Sequence, residues 1–218
     1  MGEAFDPIWE TIYQKGHNQN YPWDFVITFY FQYRSLFEAA PRVLEVGCGT
    51  GSNIRALAME GASVTGVDGS VTAIAEAKKR FEQSGVNGDL VVKDFTQLSY
   101  PPDSFDMAID RGSLYCCERE DARKAVQLIA DSMVTGGVFF MQIYSKRHTY
   151  YSCAQNELDD VSREALTAAG VYGTFYSEEE LRSLFSNDWE FVEFDEVVRT
   201  SSLDDLVHAL FNVVAKKK

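Results

Sequence analysis

The sequence predicts an α/β protein on an open, mostly parallel sheet with helices on both faces, and three observations carry that prediction. Apolar runs of strand length alternate with helical patterns from Arg42 to Tyr144, as βαβ units require. A glycine-rich turn, Glu45-Val-Gly-Cys-Gly-Thr-Gly51, follows the first of those runs. The next three runs each stop at an aspartate, in turn Asp68, Asp94 and Asp110.

The elements follow in order. Phe25 to Tyr33 is dense in apolar and aromatic residues, and Pro22-Trp23-Asp24 before it makes a helix entry, so a helix is expected to about Phe37, ahead of Pro41. Val43–Val46 reads as a buried strand. Ser52 to Glu60 reads as a helix with Ile54, Leu57 and Ala58 on one face, closed by Gly61. Ala62–Val67 is the second strand, and Val71 to Phe81 the next helix. Leu90–Val92 is the third strand. Pro101 to Ser104 is a loop before the fourth strand, Phe105–Ile109. Glu118 to Met133 is a helix with Ala122, Ala125, Val126, Ile129 and Met133 toward the core, and Gly136-Gly137 turns the chain into a fifth strand ending near Tyr144. A short helix over 178–185 and two consecutive strands, 189–198 and 206–214, close the chain. Two strands with no helix between them imply a hairpin, hence an antiparallel strand on the sheet. Lys216 to Lys218 reads as a solvated tail.

Composition narrows the function. With 218 residues and 45% hydrophobic content, one domain over 1–218 with a substantial core is expected. The formal net charge of -13 points away from a nucleic-acid partner, which needs a basic face, and from an anionic membrane surface. Small molecules fit best. Cys48, Cys116, Cys117 and Cys153 show neither zinc-site nor CxxC spacing, so reduced thiols and no metal are expected. No signal peptide and no membrane-length apolar stretch is visible, which predicts a cytoplasmic protein.

In an open α/β sheet, ligands bind beyond the carboxyl ends of the strands, near the point where strand order reverses. The glycine turn and the three aspartates all fall there. Glycine lets a ligand approach the backbone, and the helix that follows offers free N–H groups. A dinucleotide fingerprint needs a further glycine three places after its second, where this chain has Ser52, so a nicotinamide-dependent oxidoreductase fits poorly. Asp68 is placed to accept both hydroxyls of a ribose, or else to brace the helix that follows, as Ser70 also could.

These segments together resemble the motif series of class I S-adenosylmethionine-dependent methyltransferases: Val43 to Gly51, Val64-Thr-Gly-Val-Asp68, Lys93-Asp-Phe95 and Phe105 to Asp110. The resemblance implies a Rossmann-like, doubly wound, seven-stranded sheet whose last strand is antiparallel. It divides the chain into an N-terminal helical cap (1–38), a cofactor-binding core (40–145), an acceptor lid (145–176) and a closing helix with strands (177–218). It implies S-adenosylmethionine as cofactor, with Glu45, Gly47, Gly49 and Gly51 around its methionine part. Asp68 and Gly69 would lie at the ribose, Asp94 and Phe95 at the adenine, and Asp110 and Arg111 between the methionine moiety and the acceptor pocket. The family often has a large residue after the ribose aspartate, so with Gly69 one adenine-packing contact is expected from elsewhere.

Methyl transfer to a hydroxyl or ammonium group of a small acceptor needs a proton acceptor. Asp110 and His148 are the expected catalytic residues, with His17 and Tyr144 as alternatives and His208 set aside as a strand residue. Trp9, Tyr13, Tyr21 and Trp23 either close over the sulfonium or pack against the domain. Tyr144, Tyr150, Tyr151, Tyr172 and Tyr176 are expected to wall an amphipathic pocket. A protein methyltransferase and a non-catalytic cofactor-binding module are the remaining alternatives.

Overall fold

The computed structural model describes residues 4–151, 167, 173–202 and 206–218. Two helices open it, α1 (Ile8–Gln14) and α2 (Asp24–Tyr33). The chain then alternates β1 (Arg42–Val46), α3 (Ser52–Met59), β2 (Ser63–Asp68), α4 (Val71–Ser84), β3 (Asp89–Val92), β4 (Phe105–Arg111), α5 (Arg119–Ser132) and β5 (Met133–Tyr144). A short helix, α6 (Glu178–Arg182), precedes β6 (Trp189–Thr200) and β7 (Val207–Lys217).

The seven strands form one sheet in the order β3-β2-β1-β4-β5-β7-β6. Only β7 runs against its neighbours, pairing antiparallel with β5 and β6. The expected α/β class, seven strands and antiparallel last strand are all present. The order reverses between β1 and β4, where the carboxyl ends of both strands open a crevice.

Side chains alternate between two cores because successive strand residues point to opposite faces. Val43, Met107, Ile109, Val138 and Phe140 pack with α2, α3 and α4. Leu44, Val46, Ala108, Phe139 and Met141 pack with α5 and α6. Glu45 and Arg111 share the parity of the first face and Asp110 that of the second, which decides where each can act.

Several boundaries differ from expectation. The helix expected to reach Phe37 stops at Tyr33 and gives way to a 3-10 turn over Arg34–Leu36. Gly136-Gly137 is not the turn into β5: the strand starts at Met133, and the pairing with β4 slips between Phe105 and Met107. Lys216 and Lys217 are not a loose tail, since Trp189 and Glu190 pair with them in the sheet. Of the expected lid, residues 152–166 and 168–172, including Tyr172 and Cys153, lie outside those described. Cys48, Cys116 and Cys117 are free thiols. Among the described residues, no helix is long and apolar enough to cross a membrane and no His/Cys/Asp/Glu cluster suits a metal ion.

Candidate functional site

The crevice at the ends of β1 and β4 begins with the glycine turn. Gly49 sits at φ +53°, and a Cβ there would lie 2.7 Å from the Tyr13 hydroxyl, so both backbone and neighbour require glycine. Its N–H donates to Asp68 Oδ2 at 2.8 Å, while Asp68 Oδ1 accepts from the Ser70 N–H at 2.8 Å. Asp68 thus braces two turns from the end of β2. Burial pushes its carboxyl up to about 6, against the two backbone bonds that favour the charge.

Glu45 is the least satisfied acid of the crevice. It is buried, its Oε1 accepts from Asn53 Nδ2 at 2.6 Å, and its Oε2 has no partner. Burial raises its carboxyl from 4.5 to about 8. Asn53 Oδ1 in turn accepts from the Trp23 N–H at 2.9 Å, linking Glu45 to the entrance of α2. Across the cavity the Arg111 guanidinium stacks on the Trp23 ring at 3.5 Å, and its Nε is buried without a partner. Glu45, Arg111, Tyr13, His17, Thr50 and Tyr144 are among the walls of a cavity of about 260 Å³.

Helix α1 lies over this turn. Glu10 accepts from Ser70 Oγ and Thr72 Oγ1, each at 2.5 Å, at the start of α4, and these bonds hold its carboxyl down at about 2. Trp9, Tyr13 and His17, spaced four apart, stack along the helix and its exit, with 6.1 and 5.6 Å between successive ring centroids. The loop beyond is clamped by Arg80, which donates to Gln19 O, Asn20 Oδ1 and Thr50 Oγ1 at 2.6, 2.6 and 2.9 Å. Burial lowers the Arg80 pKa. The N-terminal segment is therefore bonded to the start of α4 and to the glycine turn.

At the other end of α1, Asp94 Oδ1 accepts from Thr96 N and Oγ1, while Oδ2 accepts from the Phe5 N–H at 2.7 Å. The Phe5 ring occupies the space beside Gly69, where a Cβ would lie 2.1 Å from it. Phe5, Asp68, Gly69 and Phe95 line a cavity of about 70 Å³. The space that a larger residue at 69 would take is filled by the Phe5 ring.

Two expected catalytic residues are placed differently. Asp110 is fully buried; its Oδ1 accepts from Ser113 Oγ, Ser113 N and Leu114 N, holding the turn after β4, while Oδ2 has no partner. Burial lifts it to about 6, yet it lines neither cavity on the Arg111 side, because the pleat sends it to the opposite face of the sheet. His148 is 2% exposed, and its Nδ1 accepts from the Tyr150 N–H at 3.2 Å, which assigns the ring proton to Nε2. Burial lowers its pKa to about 4. His148 packs among Tyr144, Tyr150, Phe175 and His208, and its Nε2 is buried without a partner among the described residues. His17 lies on the wall of the inner cavity, and His208, a strand residue as expected, lies on the wall of a second cavity.

A second cavity, of about 370 Å³, lies beyond the first; its walls include Asp24, Phe25, Arg199 and His208. The two cavities share Trp23, Arg111 and Tyr144.

Residues 43–137 match the model of a methyltransferase domain family. The match runs from β1 into the start of β5. The ubiquinone biosynthesis O-methyltransferase of Coxiella burnetii (strain RSA 493 / Nine Mile phase I) is 32% identical over 113 residues, which cover 50% of this chain and 46% of that protein. The chain spans less than half the length of the first curated relatives it matches. Among solved structures, a SAM-dependent methyltransferase of Methanosarcina mazei superposes with TM-score 0.67 at 19% identity, over 87% of this chain and 96% of that one. The magnesium protoporphyrin IX methyltransferase of Synechocystis PCC 6803, solved with bound SAH, gives TM-score 0.65 at 17% identity over 97% and 93%. These structural likenesses establish the fold.

Sequence reasoning missed Phe5, Glu10, Asn53 and Arg80. Arg80 left a signal, a lone cation on the buried face of α4 with Ala73, Ala77 and Phe81. Phe5 and Glu10 left none, because their partners lie 60 or more positions away.

Proposed function

We propose that the protein transfers a methyl group from S-adenosylmethionine to a small-molecule acceptor. The observation that carries this reading is the pair of cavities with a common wall of Trp23, Arg111 and Tyr144, one on the glycine turn and one open beyond it. When bound, the cofactor would supply an electrophilic methyl carbon on a sulfonium, passed in line to a nucleophilic atom of the acceptor.

The residues present fit that group. The unpartnered Glu45 Oε2 on the inner cavity suits an ammonium group, and the glycine turn leaves its backbone bare. Asp68, Gly69, Phe95 and Phe5 surround the nucleoside end. Trp9, Tyr13 and Trp23 present aromatic faces suited to a sulfonium. The protein's contribution is then position and exclusion of water, with the donor and acceptor held on either side of Arg111 and Tyr144. The cavity at the nucleoside end, about 70 Å³, adjoins the inner cavity through Trp9, Tyr13, Gly47 and Gly112, which line both.

Two results are expected from variants at this end. Asp68→Ala should weaken S-adenosylhomocysteine binding by about 1–3 kcal/mol through the lost charge-assisted bonds. It should also lower the melting temperature, because the Gly49 and Ser70 N–H groups lose their acceptor; unchanged affinity by calorimetry would sink the ribose assignment. Phe5→Ala should weaken the same ligand several-fold, since an aromatic contact is worth about 0.5–1.5 kcal/mol beyond area burial. Equal or tighter binding would mean that Phe5 only blocks the site.

The reaction itself is tested by incubating the protein with methyl-labelled S-adenosylmethionine and a small-metabolite extract. Label is expected in the small-molecule fraction and not in added protein. Label in protein alone would replace the small acceptor with a protein substrate.

A further inference from the structure

The outer cavity is floored by one face of four strands, and that face changes character along its length. Nearer the middle of the sheet, β5 and β7 present Val138, Phe140 and Val214 on this face to the helices α2, α3 and α4. Toward the carboxyl end of β5 the same face carries Gln142 and Tyr144. Register places Arg111 of β4 against Gln142, Tyr144 against Leu210, Leu210 against Val197, and His208 against Arg199. Alternate residues of paired strands share a face, so these side chains form one continuous floor. Trp23, Asp24 and Phe25, at the entrance of α2, stand against it.

The charge on this floor is out of keeping with a chain of formal net charge -13. Arg111, Arg199 and His208 border the cavity against one acid, Asp24. Neither arginine has a carboxylate within ion-pair distance among the described residues. The Arg111 Nε is buried with no acceptor, and burial lowers the pKa of the group. A guanidinium donor held out of water without an acceptor is costly unless a ligand supplies one. Trp23, Phe25, Tyr144, Val197 and Leu210 supply apolar contact around it.

We propose that the outer cavity binds an organic anion, an acceptor whose carboxylate or phosphate group is held by Arg111 and Arg199 with His208 while its apolar or planar body lies against Trp23 and Tyr144. The inference rests on the reading of this protein as a methyltransferase for a small acceptor and narrows that acceptor to acids. It uses the outer cavity alone, so it can fail while cofactor binding stands.

The test is ligand-observed NMR titration with benzoate and its neutral isostere benzamide, in the presence of saturating S-adenosylhomocysteine. Benzoate should bind at least tenfold more tightly than benzamide. Arg199→Gln, a change at an exposed position, should weaken benzoate about tenfold while leaving benzamide and S-adenosylhomocysteine unaffected. Equal binding of the two probes, or no response to Arg199→Gln, overturns the proposal. So does displacement of benzoate by S-adenosylhomocysteine, which would assign the free donor of Arg111 to the cofactor. If S-adenosylhomocysteine does not bind, the cofactor reading fails, and the same comparison without it still decides whether the cavity takes an anion.

Discussion

Glu45→Gln is expected to weaken S-adenosylhomocysteine binding by tenfold or more while making the free protein more stable at alkaline pH. Glu45 is buried, with one oxygen bonded to Asn53 and the other unpartnered, and its carboxyl is raised from 4.5 to about 8. A group whose folded pKa lies above its unfolded value contributes stability that is fully present below the unfolded value and is lost as pH rises through the folded one. The window is therefore pH 4.5 to about 8. Removing the titration should recover up to about 5 kcal/mol above it. The opposite effect on binding has the same cause. In the free protein at pH 7 Glu45 is largely protonated, and a ligand ammonium at Oε2 favours the carboxylate. Binding should then release a proton and tighten as pH rises toward 8. Calorimetry at pH 7 in two buffers of different ionisation enthalpy checks this. No proton release, with full affinity in Glu45→Gln, would remove Glu45 from the ligand's contacts.

The second large effect is expected at Gly49. Gly49→Val should reduce S-adenosylhomocysteine affinity by a hundredfold or more with the secondary structure retained. Gly49 sits at φ +53°, in the left-handed region that a β-branched residue adopts only under strain. Its Cβ would press on the Tyr13 hydroxyl at 2.7 Å, and its N–H must keep the bond to Asp68. The substitution thus disturbs the turn, the α1 strap and the ribose acid together. The sheet core lies below the turn, so the far-ultraviolet circular dichroism should be native while the melting temperature falls. A folded variant that still binds would show that the turn does not touch the ligand.

Much of the architecture was legible because its signals are local. The run from Val43 through Gly51 announces strand, turn and helix within nine positions, and Asp68 ends β2 as expected, while Asp94 lies two residues past β3 and Asp110 one residue before the end of β4. What the sequence could not show is which side of a strand faces which cavity. Asp110 and Arg111 are neighbours, yet the pleat sends one to brace the turn and the other to the cavity wall. His148 looked well placed because it follows β5, but its lone pair meets the Tyr150 N–H. His208 lies in a strand as expected, and at the start of β7 it also borders a cavity, which its position in the sequence does not show. Glu10, Asn53 and Phe5 act across long stretches of chain, and no spacing rule covers such pairs.

The most direct test of the central claim is isothermal titration calorimetry of the wild-type protein with S-adenosylmethionine, S-adenosylhomocysteine and NAD, side by side. The account predicts micromolar binding of the first two and none of NAD. A folded sample that binds neither sulfur compound, or that prefers NAD, would contradict it.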